Sequence, residues 1–388
     1  MHANCHRRHW LAVSIAAALL PVAAQAADSG TTFSYSGYIK LDMIYSNFSE
    51  GEVAGNSIAR DFYVPSLIPT SDGSGDSYSA FDAHVKQTRF ILATSTPLAD
   101  GTTFGTHIEM DFMSAIDGDE RISNGYEPEV RQAFVKWNGW LAGQAWSTFQ
   151  DVAALPDAID FIGPSNSTVF IRQAQVRYST GNWMFAVENP ETTVTPFGGG
   201  ARISPDDDAV PDFTARYHNK TSWGHYSLGA VVRQLSIDNP PIDSTETGYG
   251  ISLSGRYNFN DDNDIRAMLV YGSGIGRYVG LNAANDAVLD ADGDLAAIDL
   301  TSAFVAWRHN WSEKARSTFM VSLLDIDNDT DLSGEAVTAS VDSLHANFIY
   351  SPYPKLDVGV ELMLASRELE NGSDGDMDRL QFAIKYAF

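Results

Sequence analysis

Cysteine is almost missing from this chain of 388 residues: Cys5 stands alone, inside the first 26 positions. The remainder can form no disulfide, thiol nucleophile or cysteine-ligated metal site. Long apolar runs are missing too. Beyond residue 26 no stretch supplies the roughly 18 consecutive apolar residues that a membrane-spanning helix needs. Bases are scarce, with 25 lysines and arginines against 50 acids and a formal net charge of −25. Such acidity excludes nucleic acid as a natural partner. No linker, low-complexity tract or helix-period stretch divides the chain, so one domain over 27–388 is expected.

What is present is clearest at the end of the sequence. Phe388, Tyr386, Ile384, Phe382 and Leu380 share one side of an extended strand, and Ala387, Lys385, Ala383, Gln381 and Arg379 share the other. Successive side chains alternate across a strand. An aromatic, apolar face backed by a polar one suits a strand with lipid outside and water inside. At the other end, His6-Arg7-Arg8-His9 precedes an apolar run from Trp10 to Leu20 and the small-residue stretch Ala24-Gln25-Ala26. That pattern predicts a cleaved export signal over 1–26. Removing it takes away Arg7 and Arg8 and no acid, which leaves 23 bases against 50 acids, a charge of −27.

Alternating segments recur at 33–46, 82–96, 102–113, 129–137, 140–148, 169–179, 182–191 and 211–219. They continue at 222–235, 247–259, 264–273, 295–309, 313–325, 336–350, 356–367 and 379–388. Short turns join alternate pairs. Asn138-Gly139 is the strongest of them, because both central residues of a type I′ turn need positive φ. The other connections are long and rich in Gly, Asp and Ser. Trp140, Trp183, Trp223 and Trp311 stand beside the short turns, as do Phe259, Tyr350 and Phe388, in the position of an interfacial girdle. The predicted fold is all-β: a transmembrane antiparallel β-barrel of about 16 strands in the bacterial outer membrane, bathed by its lipid and lipopolysaccharide.

Parity separates lumen from lipid. In 247–259, Tyr249, Ile251, Leu253, Tyr257 and Phe259 face out and Ser252, Ser254 and Arg256 face in. The same reading turns Lys40, Arg89, Arg131, Arg177, Arg216, Arg233, Arg256, Arg266, Lys314, Arg316, Arg367, Arg379 and Lys385 inward. The acids sent inward are Asp42, Glu109, Asp111, Glu188, Asp212, Asp299, Asp357 and Glu361. Bases outnumber acids there, so the lumen is expected to prefer small anions. The connection from Phe149 to Thr168 is unusually apolar for an exposed loop. It is expected to fold inward as a constriction, burying Leu155, Ile159 and Phe161 and setting Asp151, Asp157 and Asp160 against wall bases near Arg89 and Arg216.

Phe81-Asp82-Ala83-His84-Val85-Lys86-Gln87-Thr88-Arg89-Phe90, Ile108-Glu109-Met110-Asp111-Phe112 and Gly143-Gln144-Ala145-Trp146-Ser147-Thr148-Phe149 resemble the DcaP-like outer-membrane porins. So do Pro156-Asp157-Ala158-Ile159-Asp160-Phe161, Arg172-Gln173-Ala174-Gln175-Val176-Arg177-Tyr178 and Glu188-Asn189-Pro190-Glu191-Thr192. The match is dense over 81–192 and looser beyond. The resemblance implies trimeric sixteen-stranded porins that admit small anions, dicarboxylates among them, through an arginine-rich constriction. That role would fall to Arg89, Arg131, Arg172 and Arg177. Some relatives carry a periplasmic coiled coil ahead of the barrel, and only Ala27 to Thr32 stand there in this sequence, so any homotrimer is expected to assemble through the wall.

Two other classes find less support. A hydrolase in the same membrane would need a nucleophile, base and orienting group within reach. No Gly-x-Ser-x-Gly occurs, and His84, His107, His225 and His345 lie on different strands. A calcium-binding adhesin is suggested by Asp325-Ile326-Asp327-Asn328-Asp329, but Thr330 and Ala336 stand where an EF-hand needs glycine and glutamate. No enzyme, metal site or cofactor is therefore expected.

Overall fold

The computed structural model describes residues 30–113 and 125–388. The export signal expected over 1–26 lies outside the described residues. The wall opens with β1 (Thr32–Phe48), β2 (Tyr78–His84), β3 (Arg89–Pro97), β4 (Thr103–Asp111), β5 (Glu129–Trp137), β6 (Trp140–Trp146), β7 (Arg172–Thr180) and β8 (Trp183–Glu188). After the two-residue β9 (Val194–Thr195) come β10 (Asp212–Thr221), β11 (Gly224–Asn239), β12 (Ile242–Asn260) and β13 (Asn263–Ser273). Two short strands, β14 (Ala287–Leu289) and β15 (Leu295–Ala297), precede β16 (Asp299–Ser312), β17 (Ala315–Asp327), β18 (Thr338–Tyr353), β19 (Leu356–Leu369) and β20 (Asp374–Ala387).

Seventeen of these strands form one antiparallel sheet, and β1 pairs along its length with β20, from Tyr38 opposite Ala387 to Phe48 opposite Met377. The sheet is thereby closed. Strands β2 and β3 both pair with β1, one above the other, so they share a single stave and the barrel has sixteen. The segment expected as one strand over 82–96 is thus two. A turn at Val85–Thr88 divides them, and there Lys86 reaches inward to Asp61 at 2.6 Å.

Alternation sets the two faces. In β12, Ile251 and Leu253 are about half exposed on the outside, whereas Ser252 is 2 % exposed within. The girdle residues Trp140, Trp183, Trp223 and Trp311 are all exposed at the short-turn end. Asp299, expected inside, is instead on the outer face: Leu300 and Ser302 take the inward parity of β16, and Tyr271 on the outside donates to Asp299 at 3.5 Å.

The long-loop end departs from expectation in two ways. The connection between β11 and β12 is not a loop: the strands run on past the bilayer-width band and meet at Pro240-Pro241. The inner face at this end is also dry. Met268, Val270, Phe304, Met320, Leu324, Val341, Met363 and Met377 point inward and, with Phe48 of β1, pack on Phe62, Tyr63, Phe149, Ile162 and Tyr278 from the connections. Segments 49–77, 147–171 and 274–298 fill the interior and supply the apolar partner that those wall residues require. A small sheet of β9, β14 and β15 caps this packing, over Leu235 and Ile237.

The phase of β12 gives a stability test. Leu253→Arg should destabilise the folded barrel by about 2–4 kcal/mol, the cost of a mid-bilayer lipid-facing arginine. Chemical unfolding in lipid vesicles, followed by tryptophan fluorescence, reads this; wild-type stability would mean that Leu253 faces the lumen.

Candidate functional site

The segment 147–171 crosses the lumen and is tied to opposite walls. Near its start Gln150 gives its carbonyl to Arg216, and Asp151 accepts from Ser254 at 3.1 Å and lies 3.0 Å from the His225 ring nitrogen. Further on, Leu155 gives its carbonyl to Arg266 of β13. Arg316 donates to Asp157 at 2.6 Å, Lys40 donates to the carbonyl of Ile159, and the Ile159 amide donates to Glu361 at 2.7 Å. Asp160 lies 4.0 Å from Arg379 and accepts from the Tyr63 amide at 3.1 Å. Burial raises the Asp160 carboxyl above its ordinary range, with Arg379 pulling it back. Ile159 is buried, and Phe161 packs against Phe62 and Phe170.

The loop acids therefore meet wall bases, but not the pair expected. Asp151 does approach Arg216, at 3.9 Å. Asp157 and Asp160 face Arg316 of β17 and Arg379 of β20 instead of Arg89. Arg89 stays near its own strand neighbours, 3.2 Å from Glu109 and 3.1 Å from Asp111.

Arg131 joins that group, 2.8 Å from Glu109 and 2.7 Å from Asp111, and is 2 % exposed. A bulge where β4 pairs with β5 lets Arg131 and Gln132 both turn inward. Arg172 approaches the group from β7. It pairs with Trp146 on the face of β7 opposite Arg177, at the rim of the wall, with Glu129 at 4.0 Å. The guanidinium groups of Arg131 and Arg172 both lie over the Trp146 ring. Three arginines thus meet three carboxylates, Glu109, Asp111 and Glu129, and the cluster is electrically balanced.

Free positive charge lies nearer the short turns. A cavity of about 600 Å³ opens there, lined by Ser34, Ser95, Thr103, His107, Lys136 and Arg177 among others. Among the described residues neither Arg177 nor Arg256 makes an ion pair, and the Nε of each is buried without a hydrogen-bond partner. Lys136 was not foreseen as a lumen residue, because strict alternation from Arg131 sends it outward. The same bulge restores it to the inside, opposite Gly105. Arg308, 2.7 Å from Asp264, was missed too, though its parity with Ala306 and Phe304 could have found it.

Asp111→Asn should cost about 3 kcal/mol of stability, because it strips the buried Arg131 of a partner. Equilibrium unfolding of the refolded barrel measures this, and a loss below about 1 kcal/mol would mean that water already screens the pair.

The fold is shared with solved channels. The DcaP outer-membrane channel of Acinetobacter baumannii is 23 % identical, at a TM-score of 0.76, over 92 % of this chain and 98 % of that one. An anion-selective porin from Comamonas acidovorans superposes at a TM-score of 0.58 with 12 % identity, over 92 % of this chain and all of the other. The trimer form of OmpT, an outer membrane protein of Vibrio cholerae, gives 0.54 and 12 % over the same share of this chain and 100 % of its own. No curated protein matches. The family model described as DcaP outer membrane protein matches residues 20–388. With its sixteen closed staves and its lumen-crossing segment, the chain belongs to the DcaP outer membrane protein family, a porin family of transport barrels.

Proposed function

We propose that this porin is exported behind the 1–26 signal and passes small anions, dicarboxylates among them, by passive diffusion, with 149–168 as its constriction. The unpaired lumen cations carry this reading. Most wall bases are spent on neighbouring or loop carboxylates, so the net field falls to Arg177, Arg256 and Lys136. Low-dielectric walls focus that field along the passage. A dicarboxylate at the cavity can meet Lys136 and Arg177 together, and weak multiple contacts let it leave. The balanced group of Arg89, Arg131 and Arg172 serves as scaffold for the rim more than as the selectivity element.

The same reading includes a homotrimer built on the outer face of β3–β7. Strands there are the shortest of the wall, at 6 to 9 residues from β3 to β8. Polar groups also stand on the outward parity: Thr94 and Thr106 share a hydrogen bond of 2.7 Å, and Gln144 follows on β6. Lipid is a costly neighbour for polar side chains. A second copy of the wall removes that cost. Light scattering in detergent should give three times the protomer mass, and a monodisperse monomer would remove the trimer.

Reversal potentials across planar bilayers test the selectivity. The wild-type channel should favour chloride over potassium. Arg177→Gln with Arg256→Gln should lower the anion-to-cation permeability ratio by roughly tenfold, about 1.4 kcal/mol of field, and Arg89→Gln by less. A cation-selective wild-type current would end the anion reading and leave the porin standing.

A further inference from the structure

Asp151, His218 and His225 bring three ligand atoms within 4.8 Å of one another, the one such group among the described residues. They come from three places: Asp151 from the segment that crosses the lumen, His218 from β10 and His225 from β11. The two histidines lie diagonally across the β10–β11 ladder, where His218 pairs with Ser227 and His225 with Lys220. Their rings stand 5.0 Å apart. The carboxylate divides its two oxygens. Oδ1 accepts from the Ala153 amide at 3.2 Å, and Oδ2 accepts from Ser254 at 3.1 Å and lies 3.0 Å from the Nε2 of His225.

His218 is the member without an account inside the protein. Its Nδ1 is shielded from solvent and has no hydrogen-bond partner. A native buried polar atom left in that state calls for an absent water or ion. Asp151 is met most closely by an imidazole, His225 at 3.0 Å, with the guanidinium of Arg216 farther off at 3.9 Å. Two imidazoles and a carboxylate are the donor set of zinc and its neighbours among divalent transition metals, with a fourth position left open.

We propose that Asp151, His218 and His225 form a binding site for one divalent transition-metal ion of the zinc class. The ion clamps the start of the constriction segment to the β10–β11 hairpin. Oδ2 of Asp151 and one ring nitrogen from each histidine are the ligands. His225 moves its proton from Nε2 to Nδ1 as the metal replaces the hydrogen bond. Oδ1 keeps its cap on Ala153 and its proximity to Arg216. The guanidinium of Arg216 at 3.9 Å, with Lys220 and Arg256 opposite His225 on either side, opposes a cation. Those charges favour an anionic group in the open fourth position, so occupancy is linked to the anion passage proposed above and rests on it only in that consequence.

Titration calorimetry of the refolded full-length barrel with Zn²⁺, alongside the visible spectrum of its Co²⁺ form, tests the site. The expected result is about one ion per barrel, a tetrahedral Co²⁺ spectrum, and affinity lowered by at least about tenfold in both His218→Asn and His225→Asn. Unheated gels, on which a closed barrel migrates ahead of the unfolded chain, establish that each variant is folded. Absence of binding to wild-type protein at about 1 mM Zn²⁺, or affinity within about threefold of wild type in either folded variant, overturns the proposal. Conductance recorded in chelator reports on the channel alone, so the two readings fail separately.

Discussion

Closure of the sheet is the constraint from which the rest follows. In hydrocarbon every backbone N–H and C=O must find a partner within the protein, and a sheet satisfies all of them only when its first and last strands meet. The pairing of β1 with β20 does this. Once it is made, each residue is committed to lipid or lumen by parity, and a shift of one residue would turn a whole stave inside out.

The interior is not a uniform wet tube. At the long-loop end, methionine and aliphatic side chains on the inner wall are covered by three inserted connections, and the packing there is that of an ordinary protein core. At the short-turn end, the wall carries small polar side chains and cations around a cavity. The segment 147–171 lies between these regimes and is anchored by charged or polar contacts to β1, β10, β11, β13, β17, β19 and β20. Those anchors distribute the wall charges. A base paired with a carboxylate contributes little field, so a position in the lumen does not by itself give a base a share in the polarity there.

Much of this was readable along the chain. The stave count, the outward set in β12 and the girdle tryptophans all follow from a two-residue period and from the cost of misplaced polarity. Errors arose where a local irregularity broke the period. The turn at Val85–Thr88 split one expected strand. The bulge between β4 and β5 brought Arg131, Gln132 and Lys136 to the same side. Asp299 lies at the start of its strand, above the hydrophobic band, where lipid no longer penalises an outward carboxylate.

By itself the sequence determined the barrel, its phase and its approximate size, because alternation and desolvation act residue by residue along a strand. Which base meets which acid was decided by tertiary structure. Asp157 with Arg316 and Asp160 with Arg379 are contacts between segments far apart in the chain, whereas Arg89 is neutralised by Glu109 and Asp111 of the neighbouring strand. Charge pairing depends on distance in space, and a strand's period carries no record of the strand that will face it across the lumen.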